Sequence, residues 1–297
     1  MTGSAPILIV VVLFRTSLAQ SATIAGMAQA FAEEPALLQT FEVLLWDNSP
    51  EALDSPALAF PFTYHHAPRN LGVAGAYNAA LEMAAVQGSR WLLLLDDDTS
   101  VTAAYLGGMR QHAAAAELDS VVAAVAPLLM AGDLVLSPRL WRFARHVPLP
   151  RAAAPYTEAR SIYAANSGTL LKVDALRAIG GYSMRFWLDY SDIELFHRLH
   201  GRGYTVRIAS DLVLEHEIAM LDYNARMSPA RYATYLAAES HFLDLYRGGL
   251  ERTIHLLRLA FRALRQRRFA DRTYSRMTRQ ELLRRLLTSR RTRQRNG

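Results

Sequence analysis

The chain begins its regular pattern with an apolar run, Ile7 to Leu13, that ends in the polar turn Phe14-Arg-Thr-Ser17. Apolar residues without a polar break, closed by turn residues, are the signature of a strand buried on both faces. Helical spacing runs from about Leu18 to Glu33, and a second apolar strand, Phe41 to Leu45, breaks at Trp46-Asp-Asn-Ser-Pro50. Thr63 to His65 reads as a short third strand. Arg69-Asn-Leu-Gly-Val-Ala-Gly-Ala-Tyr-Asn78 then hands over to a helix of small residues, Ala74 to Val86. The fourth strand is Trp91-Leu-Leu-Leu-Leu95, and three carboxylates follow at once, Asp96, Asp97 and Asp98. A helix over Ala103 to Glu117 and a strand over Val121 to Ala126 complete the alternation. The order predicts an α/β fold with a mainly parallel sheet flanked by helices and joined by right-handed crossovers.

The pattern loosens from Leu128 to Tyr163, where Pro138, Pro148, Pro150 and Pro155 interrupt it; such a stretch suits a cover over a substrate better than a core. Regularity returns after Tyr163. Asp174 as N-cap and Gly180 or Gly181 as C-cap bracket a short helix. The segment Phe186 to His200 enters a helix, with Leu195 and Leu199 turned to the core, and strand Tyr204 to Ile208 leads to Asp211-Leu-Val-Leu-Glu-His-Glu217.

At 297 residues the chain suits one large α/β domain with additions or two modest ones. No apolar run approaches the roughly 20 residues that span a bilayer. The first run lacks a basic leader and a small-residue cleavage site, so it reads as a strand and not a signal peptide. Without cysteine there is no disulfide framework and no thiolate chemistry, which fits a reducing compartment.

Net charge of +6 hides an asymmetry. From Leu250 onward fifteen Arg face Glu251, Asp271 and Glu281, a balance of +12 that leaves −6 on the first 249 residues. Lys172 is the only lysine, so basicity here means the planar Arg fork, suited to phosphate. Leu250, Ile254, Leu257, Phe261 and Leu264 make an apolar stripe at helical spacing with Arg252, Arg258, Arg262 and Arg265 toward its edges, and Leu282, Leu283, Leu286 and Leu287 repeat it. A basic amphipathic helix of this kind lies in an anionic membrane surface. Its alternative is a helix packed on the domain or on a second subunit. Nucleic acid is not an expected partner, since stacking aromatics and nucleic-acid motifs are missing from the stripe.

The candidate chemistry gathers where strands end, because open α/β sheets bind ligands outside the carboxyl ends of their strands. Asp96 and Asp98 can converge on one ion while Asp97 looks elsewhere, and hard oxygens suit Mg²⁺ or Mn²⁺. The alternative is an acidic loop capping the next helix through Thr99 or Ser100. Asp47, at the end of the second strand, reads equally as an acceptor for a pyrimidine N3–H or ribose hydroxyl and as an Asx turn. Gly72 and Gly75 let backbone approach a pyrophosphate at a helix start. Asp189 and Asp192 share a face if their helix has begun, and either serves as general base; the alternative is that Ser191 or Asp192 only caps that helix. His216 follows an apolar run as the aspartates do and is read as the third metal ligand.

Together these residues resemble glycosyltransferase family 2, the inverting transferases of the GT-A fold, and most closely its bacterial rhamnosyltransferase branch. The resemblance covers about residues 6 to 245. It implies that the turn with Phe14 and Arg15 opens the nucleotide pocket, and that Asp47, in Trp46-Asp-Asn48-Ser49, contacts the base. Asn70, Gly72, Gly75 and Asn78 lie in a stretch that matches the Asn-x-Gly-x-x-x-Ala-x-Asn signature, and Asp96-Asp97-Asp98 matches the Asp-x-Asp metal and diphosphate element. Asn166-Ser167-Gly168-Thr169, Gly180-Gly-Tyr182 and Trp187 fall on the acceptor side, and Glu215-His216 matches the late metal-binding histidine. One departure stands out: many members carry Glu-Asp-x-Asp where this chain reads Asp189-Tyr-Ser-Asp192, which puts Tyr190 at the usual base position. The rhamnosyltransferase-like members share the Asp-Tyr-x-Asp form, so the role passes to Asp189 or Asp192.

The resemblance implies a metal-dependent, inverting transfer of a sugar, L-rhamnose from dTDP-rhamnose in first place, to a glycan or lipid-linked acceptor in cell-envelope polysaccharide synthesis. The enzyme would then be cytoplasmic and peripheral on the inner face of the plasma membrane, with oligomerisation open. A UDP-sugar donor, as for galactofuranosyl transfer, is the alternative within the fold. From other classes, a nucleotidyltransferase is disfavoured because Phe14-Arg-Thr-Ser17 is not a Gly-rich loop, and an inactive membrane scaffold because Asp96, Asp98 and His216 occur together. The expected organisation is a GT-A domain over 1–245, divided near 125 into donor and acceptor halves, and a basic helical tail over 246–297.

Overall fold

The structure is a computed structural model that describes residues 7–54, 56–142, 145–215, 227–269 and 271–295. The chain divides into two compact units, Met1–Trp141 with His146–Glu217 and Arg142–Arg145 with Ile218–Gly297.

In the first unit the predicted alternation is realised as β1 (Ile7–Leu13), α1 (Ala22–Glu33), β2 (Phe41–Asp47), β3 (Thr63–His66), α2 (Gly72–Gln87), β4 (Trp91–Asp96), α3 (Ala103–Glu117) and β5 (Val122–Ala131). The Leu18–Gln20 segment is a separate 3-10 turn, and α1 starts beyond it with Ser21 Oγ accepting the Ile24 N–H. Thr102, not Thr99 or Ser100, caps α3. Past β5 the proline-interrupted stretch forms short pieces: β6 (Leu134–Ser137), β7 (Arg139–Arg142), β8 (Arg145–Pro148), β9 (Tyr156–Glu158) and β10 (Ile162–Tyr163). Prolines deny the ladder its donors and keep these strands brief. β11 (Leu170–Lys172), α4 (Val173–Ala178), α5 (Ser191–Gly201) and β12 (Thr205–Glu215) follow. The short helix α4 starts after Lys172, so Asp174 sits in its first turn instead of capping it.

The main sheet runs β3-β2-β1-β4-β11-β5-β12-β9, with β6 on β5, and a second sheet runs β10-β7-β8. β1 is parallel to β2 and β4, and β12 is parallel to β5, whereas β11 lies antiparallel between β4 and β5. Two registers position the site. Leu13 stands opposite Asp47 and Val12 opposite Asp96, so both aspartates end their strands in nearly the same row. Leu170 pairs with Leu93, and because β11 runs backwards the residues before it arrive at the carboxyl end of β4.

Alternate residues of the central strands feed two cores. Ile9, Val11, Leu93 and Leu95 pack toward α1 and α3, while Leu8, Val10, Leu92 and Leu94 pack toward α2, α4 and α5. Each such aliphatic side chain, once fully buried, contributes roughly 1.5–3 kcal/mol.

The second unit contains α6 (Pro229–Tyr246), α7 (Gly249–Gln266) and α8 (Thr273–Arg295) around Tyr232, Leu236, Leu259 and Tyr274. The sequence reading placed α6 at the end of the first domain; its acids explain the grouping found here. Glu239 takes both ends of Arg262 at 2.8 and 2.9 Å, and Asp244 takes both ends of Arg285 at 3.1 and 2.8 Å. Among the described residues no helix is long and apolar enough to cross a membrane.

Candidate active site

At the end of β1 the chain turns through Arg15, a non-glycine residue at φ 57°, whose N–H donates to Ser49 Oγ at 2.8 Å. Phe14 is exposed beneath the Arg15 guanidinium, 5.2 Å from the ring centre. Asp47 is fully buried. Its Oδ1 accepts the Ser49 N–H at 2.8 Å and its Oδ2 the Tyr64 hydroxyl at 2.7 Å, so the Asx turn is formed and both oxygens are engaged within the chain. Asn48 is buried too, accepting from Trp46 Nε1 and donating to the Gly72 carbonyl.

That last bond ties β2 to the start of α2. Gly72 holds φ +65°, and a Cβ there would lie 2.1 Å from the Trp187 carbonyl oxygen, so the close approach this glycine permits is made by Trp187. Asn70 Oδ1 takes the Gly72 N–H, the Trp187 carbonyl takes the Ala74 N–H, and the Leu71 carbonyl takes the Gly75 N–H. Three donors of the first turn are thereby occupied within the chain. One turn on, Asn78 clamps Tyr182 from both sides, donating to its carbonyl at 2.9 Å and accepting its N–H at 2.7 Å.

The acidic loop after β4 is anchored through its backbone. Thr23 Oγ1 donates to the Asp96 carbonyl and Ser21 Oγ to the Asp97 carbonyl, while the Asp96 N–H donates to Ser167 Oγ at 3.0 Å. Ser167 belongs to the backward strand's approach, and the Gly168 N–H returns to the Leu94 carbonyl. Gly168 is itself required, because at φ +81° a Cβ would meet Leu214 at 2.2 Å. Asn166 then bridges to the second aspartate pair, donating to Ser191 Oγ at 3.0 Å and accepting the Tyr182 hydroxyl at 2.8 Å.

Asp189 precedes α5, so the shared helical face is not how the two carboxylates meet. Tyr190 caps the helix in the left-handed region at φ 63°, a strained conformation for a bulky residue, and Asp192 follows in the first turn. Burial pushes the Asp192 carboxyl up to about 6; donation from the Ile193 N–H opposes the shift and the Asp189 charge adds to it. Ser191, offered by the sequence as a cap, bonds Asn166 and the Leu188 carbonyl instead.

Two tyrosines join the halves of the site. Both Tyr77 and Tyr182 are buried and held far above their ordinary range, first by burial and then by nearby carboxylates, with Asp96 and Asp192 acting on each of them. The end of β4 and the start of α5 therefore bear on the same pair of rings, which lie 5.1 Å apart. The sequence reading missed Tyr77 as a site residue. Its only signal was a large polar aromatic inside a helix of alanines.

Asp97 turns toward the Phe14–Ser17 segment. Burial raises its carboxyl and the Asp98 charge adds to that, while a hydrogen bond with Thr16 lowers it. Hard oxygen donors at this charge density are compatible with a divalent cation. Among the described residues no three metal-ligating side chains come together, and His216, the third ligand of the sequence reading, lies outside them.

A mainly parallel sheet flanked by helices, with an acidic loop at the end of a central strand, is the arrangement of the GT-A fold. Residues 26–141 match the sequence model of glycosyl transferase family 2. The match spans α1 to β7 and stops before Asn166 and Asp192. No curated protein matches the chain. Among solved structures it is similar to GalNAc-T7 with UDP, GalNAc and Mn²⁺, at 12% identity and TM-score 0.60 over 95% of this chain, which spans only 55% of that protein's length. It is also similar to S. aureus TarS 1-349, at 12% identity and TM-score 0.52 over 98% of this chain and 92% of that one. The same S. aureus protein in complex with UDP aligns at 11% identity and TM-score 0.50 over the same shares. The rhamnosyltransferase branch has no counterpart among these.

Proposed function

We propose that the chain transfers a sugar, with inversion, from a pyrimidine nucleoside diphosphate to a hydroxyl of a glycan or lipid-linked acceptor. The observation that carries this reading is the convergence of Asp96 and Asp192 on Tyr77 and Tyr182, with Asp192 poised near 6. A carboxyl so tuned is ionised at neutral pH and basic enough to take a proton. Asp192 removes the acceptor hydroxyl proton as that oxygen attacks the anomeric carbon, and the bond from that carbon to the diphosphate breaks on the opposite face, its electron pair leaving with the nucleotide. Asp189 raises the basicity of Asp192 through its charge.

Phe14, Arg15, Asp47 and Asn48 border the base and ribose, Asn70, Gly72, Gly75 and Asn78 shape the floor below the phosphates, and Asn166, Ser167, Gly168 and Trp187 line the acceptor side. Asp96 and Asp98, with His216, would hold Mn²⁺ or Mg²⁺, and Asp97 stands beside them. Such a cation, when bound, neutralises the charge that develops on the leaving diphosphate. The Asp-Tyr-x-Asp form favours dTDP-rhamnose as donor, and the UDP in the similar structures supports a UDP-sugar as the second reading. A lipid-linked acceptor would place the reaction at the inner face of a plasma membrane.

Calorimetric titration of the purified chain with dTDP, UDP and GDP tests this, each with Mn²⁺, with Mg²⁺ and with chelator. Binding of one pyrimidine diphosphate that chelator abolishes is expected. Failure of all three nucleotides to bind would remove the donor pocket from the reading.

A further inference from the structure

Helix α7 is two-faced in an unusual sense. His255, Leu259, Ala263 and Gln266 are its buried residues, and at about 100° per residue they share one side. Four of its large apolar side chains point the other way: Leu250, Leu257, Phe261 and Leu264 are 69%, 68%, 68% and 59% exposed. A groove of about 540 Å³ runs beside them, lined by Ile254, Leu257, Arg258, Phe261, Arg262 and Arg265. The neighbouring α8 adds Leu283 and Leu287, also more than half exposed. Apolar area this concentrated on one helix marks an interaction surface.

Charge decides what covers it. The arginines are not equivalent: Arg262 is committed to Glu239, whereas Arg258 and Arg265 form no ion pair among the described residues. Both stand within one helical turn of Phe261, at the rim of the groove. With +12 carried from Leu250 onward, a second copy meeting this face through its own α7 would set like charge against like. A surface of negative headgroups over acyl chains matches both the rim and the stripe.

We infer that the outward face of α7 docks on an anionic lipid bilayer, with Leu250, Leu257, Phe261 and Leu264 entering the acyl boundary and Arg258 and Arg265 at the phosphates. From the proposed function this takes only a purpose, an acceptor held at a membrane. Vesicle binding without any sugar tests it separately, so its failure leaves the transfer reading standing.

The full chain is sedimented with vesicles of equimolar phosphatidylcholine and phosphatidylglycerol, and with phosphatidylcholine alone. Pelleting with the anionic vesicles only, weakening with added salt, is the expected result. Leu257→Asp with Phe261→Asp should weaken it at least about tenfold at unchanged helical circular dichroism, and Arg258→Glu with Arg265→Glu should weaken it by about as much. In a third variant, Phe261→Trp, the emission should shift to the blue on anionic vesicles. Equal pelleting on both vesicle types, or an unshifted tryptophan, would overturn the proposal. So would a dimer in light scattering that the double aspartate variant splits while vesicles bind neither form.

Discussion

Asp192 is where opposing electrostatic effects can be weighed at a single residue. A helix N-terminus and the Ile193 N–H both favour its ionised form, yet burial outweighs them and the carboxyl rises to about 6. As a base it works ionised, so kcat/KM should rise as pH climbs through about 6 and level off above, which a pH–rate profile checks. The stability consequence has the opposite sense. With the folded-state value above the unfolded one, the fold is favoured at pH below about 4 and loses that contribution as pH rises through 6. Asp192→Asn should therefore lower activity by about 10²–10⁴-fold while raising neutral-pH stability by ~2 kcal/mol, read by turnover and denaturant melts. Gly72→Ala should do the reverse to stability. Its Cβ would collide with the Trp187 carbonyl at a φ that alanine resists, a loss of about 2–4 kcal/mol in a urea melt. The place of the Asp96–Asp98 loop at the end of β4 was legible because charge after a buried run has few places to go. Tyr77 was not, since its importance lies in which carboxylates surround it.

At the scale of elements, the site depends on a strand of three residues running against its neighbours. β11 brings Asn166 and Ser167 to Asp96, and a three-residue strand is too short for periodicity to reveal its direction. The motif Asn166-Ser-Gly-Thr169 was recognised, but its contacts with Ser191 and the Tyr182 hydroxyl belong to tertiary structure. The Asn78 clamp is similar: removing it with Asn78→Ala leaves the Tyr182 backbone N–H and carbonyl without their partner. That should destabilise the first unit by about 2 kcal/mol and weaken donor binding, measured by thermal melts and by titration with UDP. The start of α5 also escaped the sequence. Ser191 and Asp192 look like caps, yet Tyr190 takes the position in a left-handed conformation, which propensity alone argues against.

At the scale of the whole molecule, charge is sorted along the chain, but in the second unit part of it is buried in pairs. Arg262 raises no alarm in the sequence, and it is held by Glu239 inside the helical unit. Burial alone would push the Glu239 carboxyl up; Arg262 overrides this and holds it below its ordinary range. A depressed folded-state value means the contribution is present above about 4.5 and is lost as pH falls, so the second unit should be acid-sensitive. Breaking the pair with Glu239→Ala leaves a partly buried guanidinium without its partner and should cost about 2–3 kcal/mol, seen as an early transition in calorimetry.

The amino-acid sequence by itself determined the alternation of strand and helix, the apolar runs of the central sheet, the acidic loop at the end of β4 and the basic stripe of the last helices. All of these are local: a period, a run or a charge count within a few residues. Tertiary structure alone decided that β11 runs antiparallel, that Trp187 fills the space over Gly72, that Asp96 and Asp192 share two tyrosines, and that the stripe of α7 faces outward with Arg262 paired to Glu239. These join residues as far apart as Tyr77 and Asp192, and whether such pairs meet is set by packing and burial across the fold, not by any pattern within a stretch of chain.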